Sequence, residues 1–170
     1  AAMGDKTGIE WTDATWNPIV GCSVVSPGCT NCYAMRVAAR IEAMRAGTWR
    51  GMLAGGTKLP PGPYTGLTQP SKAGPVWTGE TRLVPSRLGQ PLDWRRPRRI
   101  FVNSMGDLFH PGISDAEIDE VVFVMAKAHA LGRGHVFQVL TKRADRQRRY
   151  WSGVLAGRLV LGHLRIERPL

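Results

Sequence analysis

Residues 100–143, IFVNSMGDLFHPGISDAEIDEVVFVMAKAHALGRGHVFQVLTKR, decide the fold class. IFVN (100–103) and HVFQVL (135–140) are short apolar runs of the kind that form buried strands. Between them Ser114 opens an S-x-x-E signature with Glu117, whose side chains satisfy the free amides of a helix start. Ile118, Val121, Val122 and Met125 then recur on one helical face, and Gly132 supplies a stop. TKRADRQRRYW (141–151) opens a further helix. Strand, helix and strand over about forty residues make a βαβ unit with parallel strands and a right-handed crossover. Parallel sheets bind ligands at the carboxyl ends of their strands. Ser104, Asp107 and His110 follow the first strand and Thr141, Lys142 and Arg143 the second, so both clusters belong at one rim.

Upstream, IEWTDATWNPIVG (9–21) mixes β-prone residues with turn formers and leads into Cys22, Cys29 and Cys32. No other cysteine occurs in the chain. The spacing is C-x₆-C-x₂-C, with the turn dipeptide Pro27-Gly28 able to fold the thiols together. An odd number of cysteines without an export signal argues against a disulfide framework. Three unrelated buried thiols are the bland alternative to a metal site. Ala34, Val37, Ala38, Ile41 and Met44 predict a helix from Tyr33 to a stop at Gly47, which puts the third thiol at a helix N-terminus. Soft thiolates suit either zinc, with His110 as the best fourth ligand, or a [4Fe–4S] cluster with one iron open to a ligand. The spacing does not choose between them.

Composition narrows the setting. The 170 residues are 43% hydrophobic and 21% charged, with a formal net charge of +10; mean hydropathy is −0.18 and the pI about 10.4. Such a chain can bury a core and is not wholly disordered. No apolar run is long enough to span a bilayer. Residues 1–81 hold seven basic and five acidic side chains, and residues 82–170 hold sixteen and eight. A basic half attracts polyanions. The candidate nucleic-acid contact is the run WRRPRR (94–99), with Trp94 for stacking and Arg95, Arg96, Arg98 and Arg99 for phosphates. No P-loop, G-x-S-x-G, paired-carboxylate signature or internal repeat is present.

The blocks IEWTDATWNPIVGCSVVSPGCTNCYA, PLDWRRPRRIFVNSMGDLFH and HVFQVLTKR, in that order from about Thr7 to Arg143, closely resemble uncharacterised phage- and prophage-encoded three-cysteine proteins. Those proteins group near the radical SAM superfamily. The resemblance implies a partial (β/α) barrel with a [4Fe–4S] cluster on Cys22, Cys29 and Cys32. Its open iron would bind S-adenosylmethionine, whose one-electron cleavage gives a 5′-deoxyadenosyl radical that takes hydrogen from a substrate. By position, Ser104 and Asp107 would hold amino or ribose groups and Lys142 or Arg143 the carboxylate, with Thr141 beside them. The commonest superfamily motif is C-x₃-C-x₂-C with an aromatic residue before the last cysteine; here the first gap is six residues and Tyr33 follows the last cysteine.

The expected organisation is one α/β domain. Residues 1–8 read as tag-derived or disordered, 9–46 as cysteine loop and first helix, 47–75 as a loop with seven glycines and five prolines, 76–150 as the βαβ region preceded by a strand at 76–85, and 151–170 as a divergent tail that shortens the barrel. About four strands can be placed, against eight in a full barrel of roughly 200 residues or more. An open edge of that kind calls for self-association or a partner protein. With no signal sequence, the expected compartment is cytoplasmic. The expected function is a radical SAM-like iron–sulfur protein; the alternative is a non-catalytic, zinc-stabilised basic protein that binds nucleic acid or a phage or host protein.

Overall fold

A computed structural model describes residues 7–52 and 61–155, the side chains of 46–52 excepted. The expected residues 1–6, the middle of the Gly/Pro-rich loop and the tail beyond Leu155 lie outside the described residues. The central sheet joins β1 (Ala14–Trp16), β6 (Arg99–Val102) and β7 (Val136–Val139) in the order β1-β6-β7, all parallel. Ala14 pairs with Ile100, Trp16 with Val102, and Val102 in turn with Val139. Between β6 and β7 runs α4 (Asp115–Ala130), and α5 (Ala144–Leu155) follows β7. This is the expected βαβ unit. Ser114 and Glu117 form the complete capping box.

Side chains alternate across a strand. Ala14, Trp16, Ile100 and Val102 are fully buried in one cluster with Ile118, Val121 and Val122 of α4 and Tyr150 and Val154 of α5. Burying each large aliphatic contributes about 1.5–3 kcal/mol. The alternate residues Thr15, Phe101 and Leu140 line cavities instead. The sheet is thus oily towards its helices and pocketed on its other face. The described strands form an open sheet and close no barrel.

A second cluster seats the cysteine segment. From α1 (Tyr33–Met52), Ala34, Met35 and Ala38 pack with Val20, Tyr64, Leu67, Trp77 and Met105, and Cys22 and Cys32 lie against them half-buried. The buried stripe of α1 is turned from the expected one, since Val37 and Met44 are exposed. The helix also runs through Gly47, because one interior glycine costs only about 1 kcal/mol. The strand expected at 76–85 divides in two. β4 (Val76–Trp77) pairs with β3 (Thr68–Gln69), and β5 (Arg82–Leu83) pairs with β2 (Ile19–Val20), both antiparallel. Gly79, at a φ of 92°, turns the chain between them. After β5 come the short helices α2 (Pro85–Leu88) and α3 (Gln90–Asp93). No described helix is long and apolar enough to cross a membrane.

Gly21 delivers the chain to Cys22 through a narrow gap. It bridges to Gly106, has a φ of 89°, and a Cβ there would lie 2.2 Å from the Glu80 carbonyl oxygen. Both the left-handed backbone and the contact with main chain forbid a side chain. Gly21→Ala should therefore cost more than about 3 kcal/mol in urea unfolding or prevent soluble expression; a midpoint within error of wild type would contradict this packing.

Candidate functional site

The carboxyl ends of β6 and β7 and the cysteine loop enclose a cavity of about 390 Å³, within the range of small-molecule sites. Cys22, Cys29 and Cys32 all line it, and so do Ser104, Asp107, Thr141, Lys142 and Arg143. Tyr33, Trp77 and Phe101 supply aromatic wall. The structure thus brings together the thiols and the two polar clusters that the sequence places at one rim.

Each thiol is positioned differently. Cys22 follows Gly21 off β2. Cys29 ends a single 3-10 turn, Pro27–Cys29, whose geometry is closed by the Cys29 amide donating to the Ser26 carbonyl at 2.9 Å. The Cys32 amide donates to the Cys29 carbonyl at 3.1 Å, and α1 begins at the next residue. All three are free. Burial raises the Cys22 thiol above its ordinary range, and that effect outweighs the opposing Arg143 guanidinium. At Cys29 burial acts the same way, but the Val25 and Ser26 amides, the Ser26 hydroxyl and the Lys142 charge prevail and lower it. Among the described residues, no three His, Cys, Asp or Glu side chains are grouped to hold a single metal ion.

Arg143 is the hub. One terminal nitrogen donates to Asp107 Oδ2 at 2.7 Å and to Cys22 Sγ at 3.5 Å, and the other donates to Ser23 Oγ at 2.8 Å and the Ser23 carbonyl at 3.3 Å. Asp107 Oδ1 accepts from the Thr141 hydroxyl at 2.7 Å and the Phe109 amide at 2.9 Å. Asp107, Thr141 and Arg143, the candidate cofactor contacts, thus bond to one another and to the cysteine loop while lining the cavity. Ser104 donates to Asn17 Oδ1 at 3.1 Å and its carbonyl accepts from Tyr33. Lys142, whose stem passes beside Gly28, is exposed at the cavity wall and forms no ion pair with a described residue. Asn103 also lines the cavity; the sequence reading treated it only as the end of a strand.

His110 is not placed as a fourth ligand. Its Nδ1 accepts from the Gly112 amide at 3.0 Å, which leaves Nε2 to carry the proton and donate to Ser23 Oγ at 2.9 Å. Arg146 of α5 donates to the His110 and Ile113 carbonyls and holds this loop down. The basic run 94–99 is partly engaged within the fold. Trp94 is buried, with Arg98 stacked on its ring at 4.8 Å, so its face is not offered to a base. Arg99 pairs with Asp13 at 3.0 Å, while Arg95 and Arg96 are exposed. These residues precede β6 or, in the case of Arg99, begin it, at the end of the sheet away from the cavity.

A family model described as "Protein of unknown function (DUF5131)" matches residues 6–160. No curated protein and no solved structure matches the chain.

Two outcomes follow from this network. The side chains of Arg143 and Asp107 are only 9% and 7% exposed, so Arg143→Met should lower stability by about 3–5 kcal/mol by stranding a buried carboxylate. Arg143→Met with Asp107→Asn should recover part of that loss; equal losses in chemical denaturation would show that the pair is not coupled. His110 is held neutral, its pKa lowered by burial and by the Arg143 and Arg146 charges. The unfolded chain takes up this proton near pH 6.5 while the folded chain resists it, so stability falls as pH drops below that value. His110→Asn should flatten the stability profile between about pH 7 and 5; an unchanged slope would remove His110 from the account.

Proposed function

We propose, for a chain that belongs to the DUF5131 family, that this cavity holds a [4Fe–4S] cluster on Cys22, Cys29 and Cys32 and binds S-adenosylmethionine beside it. The protein would then be a radical SAM-like enzyme acting on a substrate by hydrogen abstraction, of the phage- and prophage-encoded kind its sequence blocks resemble. The observation that carries this reading is the shared lining of one cavity by three thiols and by the polar ends of two parallel strands.

What supports this group is the chemistry of the donors, three thiols that line one cavity. Thiolates on one zinc ion lie about 2.3 Å from it and crowd a single point, and no such grouping occurs among the described residues. A four-iron cube is gripped on three separate irons, which suits thiols spread around a cavity. When bound and reduced, the cluster supplies the single electron that splits S-adenosylmethionine. The remaining tasks belong to the chain. Ligation requires three thiolates; the Ser26 loop amides favour that state at Cys29, while at Cys22 the Arg143 hydrogen bond favours it against the larger effect of burial. Lys142 is the cation placed to hold the cofactor carboxylate, a role that the engaged Arg143 leaves to it. Trp77 and Phe101 would supply apolar wall beside the reacting centre.

Protein purified without oxygen should be brown and carry about four irons per chain, and Cys22→Ala, Cys29→Ala and Cys32→Ala should each lose most of that iron. With dithionite and S-adenosylmethionine it should release 5′-deoxyadenosine and methionine. Colourless protein with one zinc per chain would replace this reading by the zinc-stabilised, nucleic-acid- or protein-binding alternative.

A further inference from the structure

Asn103 follows β6 at a φ of 59°, and among the described residues no other non-glycine residue has a positive φ. Asparagine enters that region more readily than most residues, and strain retained beside a cavity points to a use. The residue is 2% exposed. Its amide donates to the Trp16 carbonyl at 2.7 Å, and its Oδ1 accepts from the Ile19 amide at 3.2 Å. A backbone N–H can only donate, so the side-chain oxygen must face Ile19 and the orientation of the carboxamide is settled. Nδ2 is then left buried without a hydrogen-bond partner, on a residue that lines the thiol cavity. Native structures rarely leave such a donor unmatched.

The rest of the lining says what kind of atom would match it. Asp107 is the acidic residue of the wall among the described residues, and both its oxygens are taken. Lys142 is exposed there and Asn103 Nδ2 is buried and unpartnered, and both are donors. An occupant must therefore bring acceptors.

We propose that Asn103 is a ligand-recognition residue, its Nδ2 donating to an acceptor atom on the nucleoside portion of S-adenosylmethionine while Lys142 takes the carboxylate. The assignment rests on the cofactor reading above. The test is titration calorimetry of S-adenosylmethionine into the full chain, purified anaerobically with its iron, as wild type and as Asn103→Asp, at about pH 8. Aspartate keeps the oxygen that serves Ile19 and tolerates the same φ, but offers an acceptor where the amide offers a donor. Binding should weaken by about tenfold or more with iron content near wild type, while the buried carboxylate lowers the melting temperature. If Asn103→Asp does not fold, Asn103→Gly accepts the backbone geometry, removes the same donor and should show the same loss. Wild-type binding with unchanged affinity in the folded variant overturns the role of Asn103 and leaves the cofactor reading standing. Failure of the iron-loaded wild type to bind S-adenosylmethionine overturns both.

Discussion

A guanidinium and a carboxylate buried against each other, Arg143 and Asp107, join the three chain segments from which the cavity is made. Two charges removed from water are tolerable only when their remaining hydrogen-bonding capacity is filled. Here it is: Asp107 accepts from Thr141, Phe109 and Arg143, and Arg143 reaches Ser23 and Cys22 as well. The cysteine segment, about 120 residues earlier in the chain, is thereby fastened to the ends of β6 and β7. The same bonding decides the chemistry on offer. With its acid and its arginine occupied, the wall presents thiols, a lysine and an amide donor.

The alternation of side chains along three short strands gives the molecule its two characters. One set of residues is fully buried beneath α4 and α5 and supplies the apolar core. The other set faces cavities that reach to α1 and the cysteine loop. Stability and recognition are thus assigned to opposite faces of the same sheet. Gly21 and Gly106, where the backbones approach too closely for side chains, let the cysteine segment come down onto the second face.

The βαβ unit was legible because its signals are local and redundant. Apolar runs, a capping box and a glycine stop all agree across residues 100–140, and the two rim clusters follow from strand direction alone. That three closely spaced cysteines would come to one place follows from their spacing, and they line one cavity. What sequence did not disclose depended on partners far along the chain. Asp107 and Arg143 are ordinary ligand candidates until each is seen to satisfy the other. His110 reads as a metal ligand until its two ring nitrogens are found engaged by Gly112 and Ser23. Trp94 reads as a stacking surface until Arg98 is found on it. Asn103 was hidden for a different reason: its left-handed backbone and its unmatched nitrogen are properties of three dimensions. The division of 76–85 into two strands turned on Gly79, a signal that was available.

The exposed arginines at 95 and 96 stand before β6 and the cavity stands after it, so the length of that strand separates them. Four residues of extended chain span roughly 13 Å. The two features are therefore set apart at opposite ends of one short strand.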